Sequence, residues 1–247
     1  MANSPRRVTI TGIDERTEIR RVKALCKRYP VEFAILCDPA RMGHDARVPE
    51  PGIVRRATKS LDRADLAFHL CGTYSDLAKH LDVTDLKRHA DFTKVHRLQV
   101  NSPDYSARDI LNLQKLHLAT GCEIIVQNRA RVIPAIRGLF FLDDDSSGRG
   151  LTPLKRARPH RNYLHAGAGD HVGYAGGLSP ENLTEQLHGI NEVNPCVPYW
   201  IDVASGVRDK DNFLDLDRVE AFLALAFPDL SAKRPAKPSP RRERPSK

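Results

Sequence analysis

Residues 171–183, HVGYAGGLSPENL, and residues 199–208, YWIDVASGVR, decide the fold. Each opens on a short run of β-branched, aromatic or small apolar residues and closes on small ones, Ala175-Gly176-Gly177 in the first and Ala204-Ser205-Gly206 in the second. A short apolar run cut off by glycine and polar residues reads as a buried strand. Between the two, Ser179 stands where a helix N-cap is expected, Pro180 at the first helical position and Glu181 in the first turn, so the spacing predicts a helix over 180–193. Strand, turn, helix and strand in that order make a parallel crossover unit, because parallel neighbours cannot be joined by a tight hairpin.

The same alternation runs back to the N-terminus. Strands are predicted over 8–11, 32–37, 66–71, 94–101, 123–127, 139–143, 171–175 and 199–203. Helices are predicted over 14–28, 52–61, 75–89, 106–119, 131–136, 152–158, 180–193 and 214–226. Eight alternating units point to an α/β protein with a parallel sheet, and eight is the number of strands that closes a (β/α)₈ barrel, with an open doubly wound sheet as the alternative. The 247 residues suit one such barrel, which ordinarily takes about 250. The expected organisation is a single barrel domain over residues 1–230 followed by a disordered basic tail over 231–247.

That tail explains the charge. Six of the eight net positive charges fall in 231–247, a stretch also broken by Pro235, Pro238, Pro240 and Pro245. Such composition disfavours a packed helix, and the nearly balanced remainder argues against a specific nucleic-acid partner. No apolar run approaches the ~20 residues needed to span a bilayer, so no membrane association and a cytoplasmic location are expected. The five cysteines are scattered and form no C-x-x-C pair, which points away from a disulfide framework or a zinc ribbon.

In a barrel of this kind the chemistry gathers at the C-terminal ends of the strands. The paired small residues after the last two strands, Gly176-Gly177 and Ser205-Gly206, let backbone N–H groups approach an anion closely. A phosphorylated small molecule is therefore the expected ligand. Asp143, Asp144 and Asp145 are adjacent, and neighbours on a strand point to opposite sides, so they do not make a shared metal site. The glycines of 167–173 precede a strand instead of following one, against a dinucleotide loop. Neither a metal nor a cofactor is expected.

Read together, AGGLSPENL at 175–183, IDVASGVR at 201–208 and the closing LDLDRVEAF at 214–222 resemble phosphoribosylanthranilate isomerase, a barrel enzyme of tryptophan biosynthesis. Weaker similarities are ITGI at 10–13, FHLCG at 68–72 and LDDDSSGRG at 142–150. The resemblance implies an Amadori-type aldose–ketose isomerisation, in which an acid opens a ribosylamine ring and a base moves the C2 proton. It implies Asp143 as the acid, Gly176, Gly177, Ser205 and Gly206 as the phosphate site, and Arg41 or Arg47 for the substrate's carboxylate, with Arg149 an added charge beside it. The family's base is a cysteine at the end of the first strand, where this chain has Thr11. An alcohol is a poor base at neutral pH, so an altered base or substrate is expected, with Cys37 and Asp38 after the second strand as replacements. A non-catalytic phosphate-ligand-binding descendant is the alternative.

Overall fold

The computed structural model describes residues 4–84, 91–130, 132–144, 151–153, 155–164 and 171–231. Eight strands close into one parallel barrel: β1 (Arg7–Thr11), β2 (Val31–Cys37), β3 (Leu66–Leu70), β4 (Arg97–Val100), β5 (Glu123–Asn128), β6 (Leu139–Asp143), β7 (Val172–Tyr174) and β8 (Tyr199–Val203). Each strand pairs with its neighbours in sequence, and β8 returns to β1 with Val8 opposite Ile201. The predicted (β/α)₈ barrel is thus the observed fold. Helices on the outside are α1 (Ile19–Arg28), α2 (Pro51–Ser60), α3 (Thr73–Lys79), α4 (Ala107–Thr120), α5 (Leu183–Val193), α6 (Leu216–Ala226) and the short α7 (Pro228–Ser231). Arg149 and the tail beyond 231 lie outside the described residues, as does the end of the helix expected over 75–89.

Among the described residues, the helices expected over 131–136 and 152–158 are not formed. Among the described residues, Val132–Ile133 and Arg158–Pro159 instead form a two-residue parallel ladder. The stretch before that second piece spends its polar groups on tertiary bonds. Arg156 donates to the carbonyl oxygens of Ala175 and Gly176 and to Gln186, and the Ala157 amide donates to Asp143 at 3.0 Å. Helix α1 starts at Ile19 and not at 14, because Asp14 is buried and accepts from the Thr17 hydroxyl (2.8 Å) and the Arg16 amide (3.1 Å).

Strand alternation sorts the side chains into two cores. Outward positions such as Val8, Ile10, Phe33, Ile35 and Ile201 pack under the helices in the main apolar core. Inward positions form a separate cluster of Ile125, Phe140, Leu142, Ala175 and Trp200. Beside it lies an ionic group. Glu32, wholly buried, accepts from Thr9 (2.7 Å) and Arg97 (2.9 Å), and Arg97 also lies 3.1 Å from Glu123. Burial penalises the Glu32 charge, but Arg97 and Arg7 outweigh it and hold the carboxyl below its ordinary pKa. The Arg97 guanidinium stacks 4.1 Å from the Trp200 ring, so the largest inward side chain shields this pair.

Trp200 fits only because its neighbour on β7 is Gly173, where a Cβ would overlap the indole. Overpacking of this kind costs about 1–3 kcal/mol. Gly173→Ala is expected to lower stability to denaturant by at least that much. Combining it with Trp200→Leu is expected to recover part of the loss; equal losses in the two backgrounds would show that the indole is not the obstacle.

Candidate active site

A cavity of about 440 Å³ opens at the C-terminal mouth of the barrel. Thr11, His69, Gln99 and Asp202 face it from strands, Gly176, Gly177 and Ser205 from the loops after β7 and β8, and Arg41 and Arg47 from the loop after β2. The cavity opens at the C-terminal strand ends, where the candidate site was expected.

The two glycine loops are shaped by close backbone approach. Gly176 and Gly177 have φ of +88° and +64°, the left-handed region that favours glycine. Thr152 fills the space where a Gly177 side chain would go, and the Leu178–Ser179 backbone does the same at Gly206. Asn182 returns to hold the turn, donating to Gly177 O (2.7 Å) and accepting from the Ser179 amide (2.9 Å). Arg218 ties the two loops, donating to both Glu181 oxygens (2.7 and 3.0 Å) and to Gly206 O (3.0 Å). The amides of Gly176, Gly177, Ser205 and Gly206 find no acceptor among the described residues. Gly206 itself is not on the cavity wall.

The arginine that ends the second motif is a structural joint. Arg208 is buried, donates to Thr11 O (3.3 Å), Gly12 O (2.6 Å) and Asn212 O (2.7 Å), and pairs with Asp14 at 3.3 Å. Its guanidinium occupies the place of a Gly12 side chain, at a φ of +105°. The loops after β1 and β8 are thereby locked together.

Arg41 and Arg47 both reach the cavity. They share Asp45, to which Arg47 is bidentate (3.2 and 3.0 Å) and Arg41 donates through Nη2. Hydrogen bonds from Arg47 and Arg41 hold the Asp45 carboxyl far below its ordinary pKa despite partial burial. Arg41 Nη1 also lies 3.8 Å from Asp38 Oδ2.

The acid–base residues are rearranged relative to the sequence expectation. Asp143 points outward, with its carboxylate on the Ala157 amide, and it is Asp144 that faces the cavity, where Gln127 donates to it at 3.3 Å. Cys37 is a second correction: it is buried in the outer core, with burial pushing its thiol up. Asp38 is a third, because it caps the Pro39 turn by accepting from the Ala40 amide at 3.1 Å and does not line the cavity. Thr11 is on the cavity floor, yet its hydroxyl is committed, donating to Asp202 Oδ1 at 2.7 Å.

Asp202 and His69 are the residues sequence reasoning passed over. Desolvation by burial raises the Asp202 pKa to about 7; the Thr11 hydrogen bond opposes this, and the negative charges of Asp144 and Glu32 add to it. His69, also buried, is lowered to about 3, chiefly by desolvation, and stays neutral. Its Nδ1 is 3.4 Å from Thr11 Oγ1 and its Nε2 is 4.0 Å from Asp202 Oδ2. The signal for Asp202 was its inward parity two residues after Trp200, which shows only once the register is known. Cys71, half-buried at the cavity edge, accepts from Asn101 at 3.2 Å, and burial raises its thiol.

These features define a class: a closed parallel (β/α)₈ barrel with a polar mouth built from two glycine loops, two arginines and inward carboxyls. No family model matches the sequence. N-(5'-phosphoribosyl)anthranilate isomerase of Haloferax volcanii is 32% identical over 130 residues, 50% of this chain and 54% of that protein. The match thus spans about half the length of that relative. The crystal structure of phosphoribosyl anthranilate isomerase from Thermus thermophilus aligns over 91% of this chain and 99% of its own, with a TM-score of 0.53 and 18% identity, which shows the fold. The chain is thus similar to these isomerases in sequence over about half its length and in its barrel fold. Among the described residues no helix is long and apolar enough to cross a membrane.

The raised Asp202 pKa has a consequence for stability. An unfolded aspartate titrates near ~3.9, so between that pH and about 7 the folded chain binds more protons at this site. Its contribution therefore falls as pH rises through that window. The stability of Asp202→Asn relative to wild type is expected to climb between pH 4 and 7 and level off above, by up to a few kcal/mol at ~1.4 per unit. A difference independent of pH in chemical denaturation would contradict the raised pKa.

Proposed function

We propose that this barrel is an isomerase that binds a phosphorylated sugar-type ligand and carries out an Amadori-type aldose–ketose isomerisation. The observation that carries the reading is the layout of one cavity. Glycine-turn loops after β7 and β8, two arginines sharing one carboxylate on the loop after β2, and the carboxyl groups of Asp144 and Asp202 all line it. Backbone amides on glycine turns suit a phosphate, an arginine fork suits a planar carboxylate, and inward carboxyl groups suit proton transfer to and from the sugar. The similarity to the Haloferax volcanii and Thermus thermophilus isomerases supports the same reading. Gly176, Gly177 and Ser205 are assigned to the phosphate, with Gly206 as the packing residue that seats the second loop. Arg41 is assigned to the ligand's carboxylate and Arg47 to holding Asp45 and the loop.

One observation favours a second reading, a phosphate-ligand-binding protein without catalysis: Thr11 stands at the end of β1 with its hydroxyl already committed as a hydrogen-bond donor to Asp202.

Phosphoribosylanthranilate made in situ and followed by fluorescence separates the two. Wild type is expected to turn it over, with inorganic phosphate competing. Arg41→Ala is expected to raise KM by about 10-fold or more, the worth of one charged hydrogen bond of ~1.5–3 kcal/mol. Saturable binding of ribose 5-phosphate without turnover would favour the binding-only reading.

A further inference from the structure

We propose that Asp202, held by the Thr11 hydroxyl, is the group that takes the C2 proton of the sugar in this barrel. The proposal rests on the isomerase reading and names the base that reading needs.

Four cavity residues could accept a proton: Asp144, Asp202, His69 and Cys71. His69 Nε2 has no hydrogen-bond partner but also no accessible surface, so it cannot touch a ligand. Cys71 would first have to ionise, and its burial opposes that. Asp202 is different. One oxygen, Oδ1, is fixed by Thr11 at 2.7 Å. The other, Oδ2, accepts no hydrogen bond from any described residue and lies 4.0 Å from His69 Nε2, on a residue that lines the cavity. The residue is two positions before Ala204 and three before Ser205, which places this oxygen just below the loop assigned to the phosphate.

The groups around it set its behaviour. Thr11 comes from β1, Glu32 from β2, His69 from β3, Arg97 from β4, and Asp144 follows β6. Since the Thr11 proton goes to Asp202, His69 Nδ1 takes the donor role toward Thr11 and leaves Nε2 as a bare acceptor facing the carboxyl. Asp202 therefore sits among two carboxylates, one arginine and a neutral imidazole, a setting in which it can carry or release a proton near neutrality.

The step balances. With Asp144 in its protonated form, its proton goes to the ring oxygen as the C1–O bond breaks and the nitrogen lone pair forms C1=N. Asp202 Oδ2 removes the C2 proton; the C–H electrons form C1=C2 and the C=N pair returns to nitrogen. The enol proton on O2 then restores Asp144, and Asp202 passes its proton to C1, giving the aminoketose with no net gain or loss.

The test is the pH dependence of kcat/KM for phosphoribosylanthranilate with wild type, Asp202→Asn, Asp202→Glu and Thr11→Val, each checked for native near-UV circular dichroism and ribose 5-phosphate binding. Asp202→Asn is expected to lose at least ~100-fold, the scale of a general base, with ligand binding kept and part of the activity recovered in Asp202→Glu. In Thr11→Val the acidic limb should move to higher pH, because the hydroxyl that favours the ionised form is gone. Asp202→Asn within threefold of wild type, or an unmoved acidic limb in Thr11→Val, overturns the proposal while leaving the isomerase reading intact. Loss on Cys71→Ser alongside an active Asp202→Asn does the same and moves the role to the thiol. Absence of any wild-type turnover would remove both the isomerase reading and this base.

Discussion

Closing eight strands into a ring turns the two faces of every strand into an inside and an outside, and most of this protein follows from that. The outside is apolar because helices cover it. The inside is narrow, and it is filled in kinds: an ionic group of Glu32, Arg97 and Glu123, an apolar cluster around Trp200, and polar residues at the mouth. Trp200 stacks on the guanidinium of Arg97, and Gly173 makes room for it. A one-residue slip in any strand would exchange its inner and outer sets, so the register that buries Val8, Ile10 and Ile201 also aims Thr11 and Asp202 at the cavity.

This constraint explains what the sequence made legible and what it concealed. All eight strands could be read from apolar runs and their small-residue ends, and 139–143 and 199–203 match the observed bounds. The glycine loops were legible because positive φ and close approach leave only one residue type. The short segments around 132 and 158 were not. Their polar groups are spent on partners far away in sequence, Asp143 and the Ala175 carbonyl, and local periodicity carries no trace of that. Asp143 was taken for the cavity carboxyl because motif spacing does not settle which of two adjacent aspartates faces inward. Leu142 does: it belongs to the inner cluster, so Asp143 turns out and Asp144 turns in.

Much of the site's positive charge is structural. Arg156, Arg208 and Arg218 each bind backbone carbonyls and fix the loops after β7, β8 and β1. Desolvation lowers Arg156 and Arg208, countered by Asp143 and Asp14 in turn. Spent this way, their donors are not available to a ligand, whereas the loops carrying Gly176, Gly177 and Ser205 and the Arg41 and Arg47 side chains line one cavity. Rigid amides cost little reorganisation when charge arrives, which suits a site where arginines build the frame.

Where the resemblance implies a cysteine at the end of β1 this chain has Thr11, and the proposed base gives that difference a simple physical reading. A thiol begins near ~8.5 and must be lowered to act as a base at neutral pH, whereas a carboxyl begins near ~3.9 and must be raised. Burial raises both. In this mouth the same desolvation that pushes the Cys71 thiol further from use brings Asp202 to about 7. Efficient proton transfer favours a group whose pKa lies near the working pH. A threonine beside that carboxyl does what a thiol could do only weakly: it donates a hydrogen bond to one oxygen and leaves the other free. The buried site that would handicap a cysteine is, for an aspartate, the means of tuning it.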